Sequence, residues 1–264
     1  MLKKITSLQN PLIKNVLLLQ EKSRERKKQG LFVVEGFREM SLVMKAGYAI
    51  QTLFSFEEHL FSENFEADEM ILLPREVFEK IAVRGLSAEY VAVVVYKEPI
   101  LQDFIPIFNS GTILVVDGAE KPGNLGAILR TADALGAMAV FCSSTDTDKF
   151  NPNIIRASLG ACFTIPFYFA TNEQIWQWLN DFEFAIYSTF MDKAIFCNDM
   201  EFEDKTAIVL GSEAFGVSDF WRGKVKENVL IPMSGSVDSL NLSVSTAILL
   251  YASVIHQRKS KKYP

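Results

Sequence analysis

Histidine is almost missing from this chain: His59 and His256 are the only two in 264 residues. Both fall on segments that read as surface, away from every glycine-bearing turn. A Ser-His-Asp triad or a zinc site therefore has no partners to build on, and no metal is expected. Cysteine is scarce too. Cys142, Cys162 and Cys197 are odd in number and widely spaced, which excludes a disulfide frame or a zinc knuckle and leaves packed core thiols. No apolar run reaches the roughly 20 residues of a membrane span. The opening MLKKITSLQNPLIKNVLLLQ has a basic pair and a short apolar patch, but Pro11, Lys14 and Asn15 break it and no small-residue cleavage site follows. A signal peptide is not expected, and the chain reads as cytoplasmic with no membrane partner. A dinucleotide fingerprint is lacking as well, because GNLG at 123–126 does not match G-x-G-x-x-G.

Acidic charge is in slight excess, at a net −5, which argues against nonspecific coating of nucleic acid. Its distribution is uneven. Residues 1–30 carry eight Lys or Arg against Glu21 and Glu25, so this arm stands at +6 and the remainder at −11. The run SRERKK (23–28) reads equally as a solvated helix end, its cations complementing the dipole before Gly30, or as an RNA-contacting patch of Lys22, Arg24, Arg26, Lys27 and Lys28.

With 49% apolar residues, the length favours two cores over one. Asn10 and Pro11 open a helix in which Leu12, Ile13, Val16 and Leu17 recur at helical spacing, and one helix to about Lys28 is expected. Strands follow at 31–36, 49–55, 71–73 and 91–97, alternating with helices over 37–47 and 75–82. The proline-bearing stretch 98–111 reads as a linker, giving domains 1–105 and 106–264. In the second domain strands are expected at 112–118, 138–144, 162–169 (interrupted by Pro166), 184–189, 207–212 and 228–233. Helices are expected at 124–136, after Asn151-Pro152, at 171–179 behind a Thr171/Gln174 capping box, and at the end of the chain. Near-continuous apolar strands between helices imply a mostly parallel α/β sheet buried on both faces. Ligands of such sheets sit beyond the strand carboxyl ends, where the glycine-bearing turns 117–126, 211–216 and 233–236 fall.

Five polar residues stand on these turns: Asn124, Arg130, Glu213, Ser239 and Asn241. An arginine suits a phosphate through its planar, permanently charged fork. Arg130 follows Asn124 by six residues, close to two helical turns, so both are expected to lean toward one side. Ser239 and Asn241 stand at the mouth of the last helix, whose free N–H groups favour a negative group. The plainer reading of Asn124 and Asn241 is an N-cap.

The segments NLGAILRTADALGA (124–137), LGSEAFGVS (210–218) and IPMSGSVDSLNLSVSTAILLY (231–251) resemble, in order and separation, the three signature motifs of the SpoU-type (TrmH-like) RNA ribose 2′-O-methyltransferases of the SPOUT superfamily. Residues 5–47 resemble the RNA substrate-binding domain often fused to them. The resemblance implies an N-terminal ribosomal-protein-like α/β domain and a C-terminal SPOUT domain with a deep trefoil knot. From residues alone, an ordinary doubly wound sheet is expected, since knots are rare. It further implies S-adenosyl-L-methionine gripped largely by main-chain groups at Thr189, Leu210, Gly211, Ile231, Met233, Ser239 and Leu240, with Ser188 beside them. It implies a homodimer, with partner residues completing each site, and Arg130 as the central catalytic and RNA-contacting residue amid Asn124, Glu213, Ser239 and Asn241. The general-base role the family pattern gives this arginine meets a physical objection, because guanidinium scarcely deprotonates in proteins. A phosphate clamp that stabilises the developing alkoxide is preferred. The fused domain favours ribosomal RNA over transfer RNA as substrate. Lys121, where the pattern has an acidic residue or Asn, and Ala214, where it has glycine, are departures. They leave open a non-catalytic RNA-binding or ribosome-assembly protein that keeps the fold.

Overall fold

A computed structural model describes residues 2–57, 65–97, 99–107, 109–118, 121–143 and 147–260; His59 lies outside the described residues. The chain forms two compact units, Met1–Glu98 with Phe150–Thr164, and Pro99–Lys149 with Ile165–Pro264. The first division falls at the start of the stretch read as a linker, and a short piece of the second half groups with the first unit.

In chain order the first elements are β1 (Leu2–Lys4), α1 (Pro11–Glu21), α2 (Ser23–Gln29), β2 (Leu31–Glu35), α3 (Phe37–Lys45), β3 (Ile50–Ser55), β4 (Glu69–Leu72), α4 (Arg75–Ile81) and β5 (Val91–Val95). There follow β6 (Gly111–Asp117), α5 (Pro122–Leu135), β7 (Ala139–Ser143), α6 (Pro152–Ala157), β8 (Phe167–Phe169) and α7 (Asn172–Asp181). The chain continues with β9 (Ala185–Ser188), β10 (Ile195–Phe196), β11 (Lys205–Gly211), β12 (Glu227–Leu230) and α8 (Leu242–Ser260).

In the first unit, a five-stranded sheet runs β1-β4-β3-β5-β2, with β5 antiparallel to both neighbours. Helix α1 turns Ile13, Val16 and Leu19 into a core with Val33, Phe54, Val77 and Phe78. Each such side chain contributes about 1.5–3 kcal/mol on burial. The single helix expected to Lys28 is instead two. Lys22 takes an extended conformation (φ −110°, ψ 107°), and Arg26 folds back so that its Nη1 donates to the carbonyls of Leu19 (2.7 Å) and Gln20 (3.2 Å). Arg26 is 1% exposed, so it closes the end of α1 by satisfying orphan carbonyls and is removed from the expected RNA-contacting set. Lys22, Arg24, Lys27 and Lys28 remain exposed. Arg26→Ala is accordingly expected to cost about 1–3 kcal/mol of stability in a denaturant melt. Lys27→Ala, at the surface, should leave the melt unmoved.

In the second unit, seven strands run β10-β12-β9-β11-β6-β7-β8, every pairing parallel. The side chains of β6 from Thr112 to Asp117 are all buried, which is why its sequence is near-continuously apolar. The chain leaves β6 toward β7 and β8 on one side, then returns to build β9 to β12 on the other. The switch point therefore lies between β6 and β11. These two strands pair over their full length, from Lys205 beside Gly111 to Gly211 beside Asp117, while Ser188 pairs with Val209. With Ser143 beside Asp117, the ends of β6, β7 and β11 are level, and β9 stops two residues short of them. Two expectations change here. Pro166 confines the strand expected at 162–169 to Phe167–Phe169, preceded by a single 3-10 turn at Ala161–Phe163. Helix α5 starts at Pro122, two residues early, because proline is pre-organised for a first helical position. The two short strands β1 and β10 were not foreseen.

Candidate active site

Beyond the level strand ends, β11 gives way to the turn Ser212–Gly216. Ser212 N–H donates to the Gly216 carbonyl (3.1 Å) and Gly216 N–H donates back (2.9 Å). Gly211 is the position where the chain needs glycine most, since a Cβ there would lie 1.8 Å from the Gly216 carbonyl carbon and 2.0 Å from the Val217 nitrogen. Backbone cannot yield to that contact as a side chain could. Gly211→Ala is therefore expected to open the turn and raise the dissociation constant for S-adenosylmethionine at least about tenfold, read by calorimetry. Ala214 is not among the residues with positive φ, so alanine costs nothing conformationally there.

The turn forms one wall of a cavity of about 950 Å³, near the upper end of the range that buries small ligands. Thr189, Leu210, Gly211, Ile231, Met233, Ser239 and Leu240, the seven residues expected to grip a cofactor, all line it. Four acidic residues line it as well, Asp192, Glu213, Asp219 and Asp238, with one basic residue, Arg222. Arg222 is taken up by Asp219 (2.7 Å) and Asp192 (3.1 Å). Among the described residues, no group of three or more His, Cys, Asp or Glu is placed to hold a metal ion.

At this wall Glu213 gathers the polar set. Its Oε1 accepts from Asn241 Nδ2 (2.8 Å), Asn124 Nδ2 (3.0 Å) and, more weakly, the Leu242 N–H (3.4 Å). Its Oε2 accepts from Lys121 Nζ (3.3 Å). Asn241 Nδ2 also reaches Asn124 Oδ1 (3.2 Å). Burial acts to raise the Glu213 carboxyl. The Leu242 N–H, the Lys121 ammonium and Asn124 outweigh it and hold the carboxyl below its usual range. Asn241 takes the capping place expected of it, its Oδ1 accepting from the Ser243 N–H (3.0 Å), and its amide donates to Glu213 besides. Asn124 is no cap. It sits in the first turn of α5, with Lys121 at the cap position, so its amide is free to reach Glu213.

Arg130 stands apart. It is exposed, lines no part of the cavity, and carries no hydrogen bond or ion pair within the described residues. Six residues at 100° each turn it about 120° round the helix from Asn124, so the two do not share a side as expected. Ser239 lines the cavity but takes no part in the Glu213 hydrogen bonds.

Sequence reasoning missed Asp117. It is 3% exposed at the carboxyl end of β6. Its Oδ2 accepts from the Ser218 N–H (2.8 Å), and its Oδ1 from Ser143 (3.0 Å) and Asn172 (3.1 Å). The carboxylate thus ties the turn after β11 to β7 and α7. A lone acidic residue closing an apolar strand was the available signal, because buried carboxylates are rare unless they are bonded.

The SpoU rRNA methylase family model matches residues 111–251, and a model of the MRM3-like substrate binding domain matches 10–92. A 23S rRNA (uridine(2479)-2'-O)-methyltransferase of Streptomyces viridochromogenes is 28% identical over 87% of this chain and 84% of its own. The 23S rRNA (guanosine(2553)-2'-O)-methyltransferase RlmP of Bacillus subtilis is 26% identical over 95% and 98%. Among solved structures, the AdoMet-bound rRNA methyltransferase from Sinorhizobium meliloti superposes with a TM-score of 0.86 at 26% identity, over 97% of this chain and 98% of that one. With more than half its length inside the family model, the chain belongs to the SpoU rRNA methylase family.

Proposed function

We propose that this protein transfers a methyl group from S-adenosyl-L-methionine to a ribose 2′-hydroxyl of RNA, with ribosomal RNA as its substrate. One observation carries the reading. The carboxylate of Glu213, on the lining of a cavity that also includes the residues at the family's cofactor positions, accepts from the amides of Asn124 and Asn241, so that three distant segments meet at one carboxylate. The residues fit that cofactor. Leu210, Ile231 and Leu240 offer apolar walls for a flat base, the main chain comes close at Gly211, and a lining with more acidic residues than basic ones suits a sulfonium. Ribosomal rather than transfer RNA is favoured by the substrates named in the relatives and by the match of residues 10–92 to a substrate-binding domain.

Once bound, the cofactor supplies an already activated methyl group; the protein's part is positioning and charge. Asn124 and Asn241, braced by Glu213, orient the 2′-hydroxyl. Glu213 is a brace and not a base, since its four donors stabilise the ionised form and weaken it as a proton acceptor. Arg130, exposed and without a hydrogen bond or ion pair among the described residues, clamps an RNA phosphate and stabilises the developing alkoxide. The proton leaves to phosphate or water. Lys22, Arg24, Lys27 and Lys28 contribute phosphate contacts in the first unit. A homodimer working in the cytoplasm and a knotted path through the C-terminal part belong to the same reading. No helix among the described residues is long and apolar enough to cross a membrane.

The rival reading, a non-catalytic RNA-binding protein, rested on Lys121 and Ala214. Lys121 pairs with Glu213 and Ala214 takes no strained conformation, so neither dismantles the cluster. Calorimetry with S-adenosylmethionine under conditions that preserve the dimer separates the two, and absence of binding defeats the transferase. Mapping which 2′-O-methyl group disappears from the RNA of a deletion strain identifies the substrate.

A further inference from the structure

Phe215 is 85% exposed although it lines the cavity. The exposure is built in. The turn that carries it is closed by reciprocal backbone hydrogen bonds between Ser212 and Gly216, and the Phe215 N–H itself donates to Ser212 Oγ (3.2 Å). Two residues earlier, Glu213 is anchored to Asn124 and Asn241. The ring is therefore held out over the cavity from a fixed base. Met191 and Val237 line the same cavity and are also largely exposed.

Methyl transfer requires donor and ribose to share this space, and a ribose brings its base with it. The part of the lining not assigned to the cofactor is apolar along Met191, Phe215 and Val237 and acidic at Asp192, Asp219 and Asp238. Asp192 and Asp219 already occupy Arg222, the one arginine on that lining, which leaves it unavailable to a phosphate, and the Asp238 carboxylate repels one. A neutral, flat, π-faced group meets neither objection. We propose that Phe215 is the stacking face of a nucleobase subsite, and that it receives the base of the nucleotide whose ribose is methylated. This rests on the methyltransferase reading and adds a residue that positions substrate by stacking.

The test uses the full chain, tritiated S-adenosylmethionine, and 23S rRNA extracted from a strain lacking the gene. Phe215→Ala should lower kcat/KM for RNA at least about tenfold, mainly through KM. Phe215→Trp should restore it to within about threefold, and Phe215→Leu should not, since stacking needs a ring. Cofactor affinity by calorimetry and the thermal melt should stay at wild-type values throughout. The subsite is overturned if Phe215→Leu equals wild type, if losing the ring weakens cofactor binding instead, or if Phe215→Ala weakens self-association in sedimentation, which would place the ring between two copies of the chain. It is overturned alone if wild type is active and Phe215→Ala matches it. A wild-type protein that transfers no methyl to this RNA overturns the underlying reading and the subsite together.

Discussion

Glu213→Ala is expected to lower kcat/KM for methyl transfer about a hundredfold or more while the protein stays folded. The side chain is one-third exposed, so its removal leaves no closed cavity to collapse. What it leaves is the amides of Asn124 and Asn241 without their shared acceptor, free to swing or to pair with each other. A displacement of about 1 Å in a positioning group costs on the order of a hundredfold in rate. Glu213→Gln separates the two oxygens. Its carbonyl can keep the three donors now on Oε1, but its amide then faces the Lys121 ammonium with a donor against a donor. The glutamine enzyme should fall between wild type and alanine. The sign with pH follows from a lowered carboxyl. The brace is fully present above the ordinary carboxylate range and is lost only as pH falls through the depressed folded value. Wild-type activity should thus persist through mildly acidic pH, with a final acid limb that the glutamine enzyme lacks. An alanine enzyme with wild-type kcat/KM would remove Glu213 from the site.

What was legible in the sequence was local. Asn10-Pro11, the Thr171/Gln174 capping box and the apolar run of β6 each act within a few residues, and each formed as expected. Pro122 is as plain a start signal, yet the sequence favours Asn124 as the cap because a capping asparagine is the commoner device. The break at Lys22 depends on Arg26 being buried, and burial of an arginine runs against its usual placement. The strands β1 and β10, of three and two residues, are too short to show a period of two and exist through their neighbours. The cluster itself is tertiary. Glu213 meets Asn124 across 89 positions and Asn241 across 28, a convergence set by the β6 to β11 register; the strand-end rule puts the three turns at one edge of the sheet, and the resemblance of the motifs groups these residues. Asp117 escaped because its three donors come from β7, α7 and the turn after β11, none of them near it in sequence.

Arg130→Ala is expected to reduce kcat/KM about a hundred- to a thousandfold, the scale of removing one preorganised charge-stabilising donor, without moving the thermal melt or the affinity for S-adenosylmethionine. Those two controls follow from the structure, in which Arg130 is exposed, carries no partner within the described residues and lies off the cavity wall. Arg130→Lys should keep the charge and lose the fork, recovering part of the rate; near-normal turnover would count against bidentate phosphate binding. The salt dependence of RNA binding should flatten by about one phosphate contact in the alanine enzyme. Its placement about 120° round α5 from Asn124 raises the question of which cluster it serves, and in the proposed homodimer the two answers are separable. Co-expressing Arg130→Ala with Glu213→Ala subunits gives mixed dimers. If Arg130 completes the partner's site, one site in each mixed dimer has both residues, and random mixing restores about a quarter of the wild-type sites. If it serves its own subunit, every site lacks one residue and activity stays at the level of the single variants.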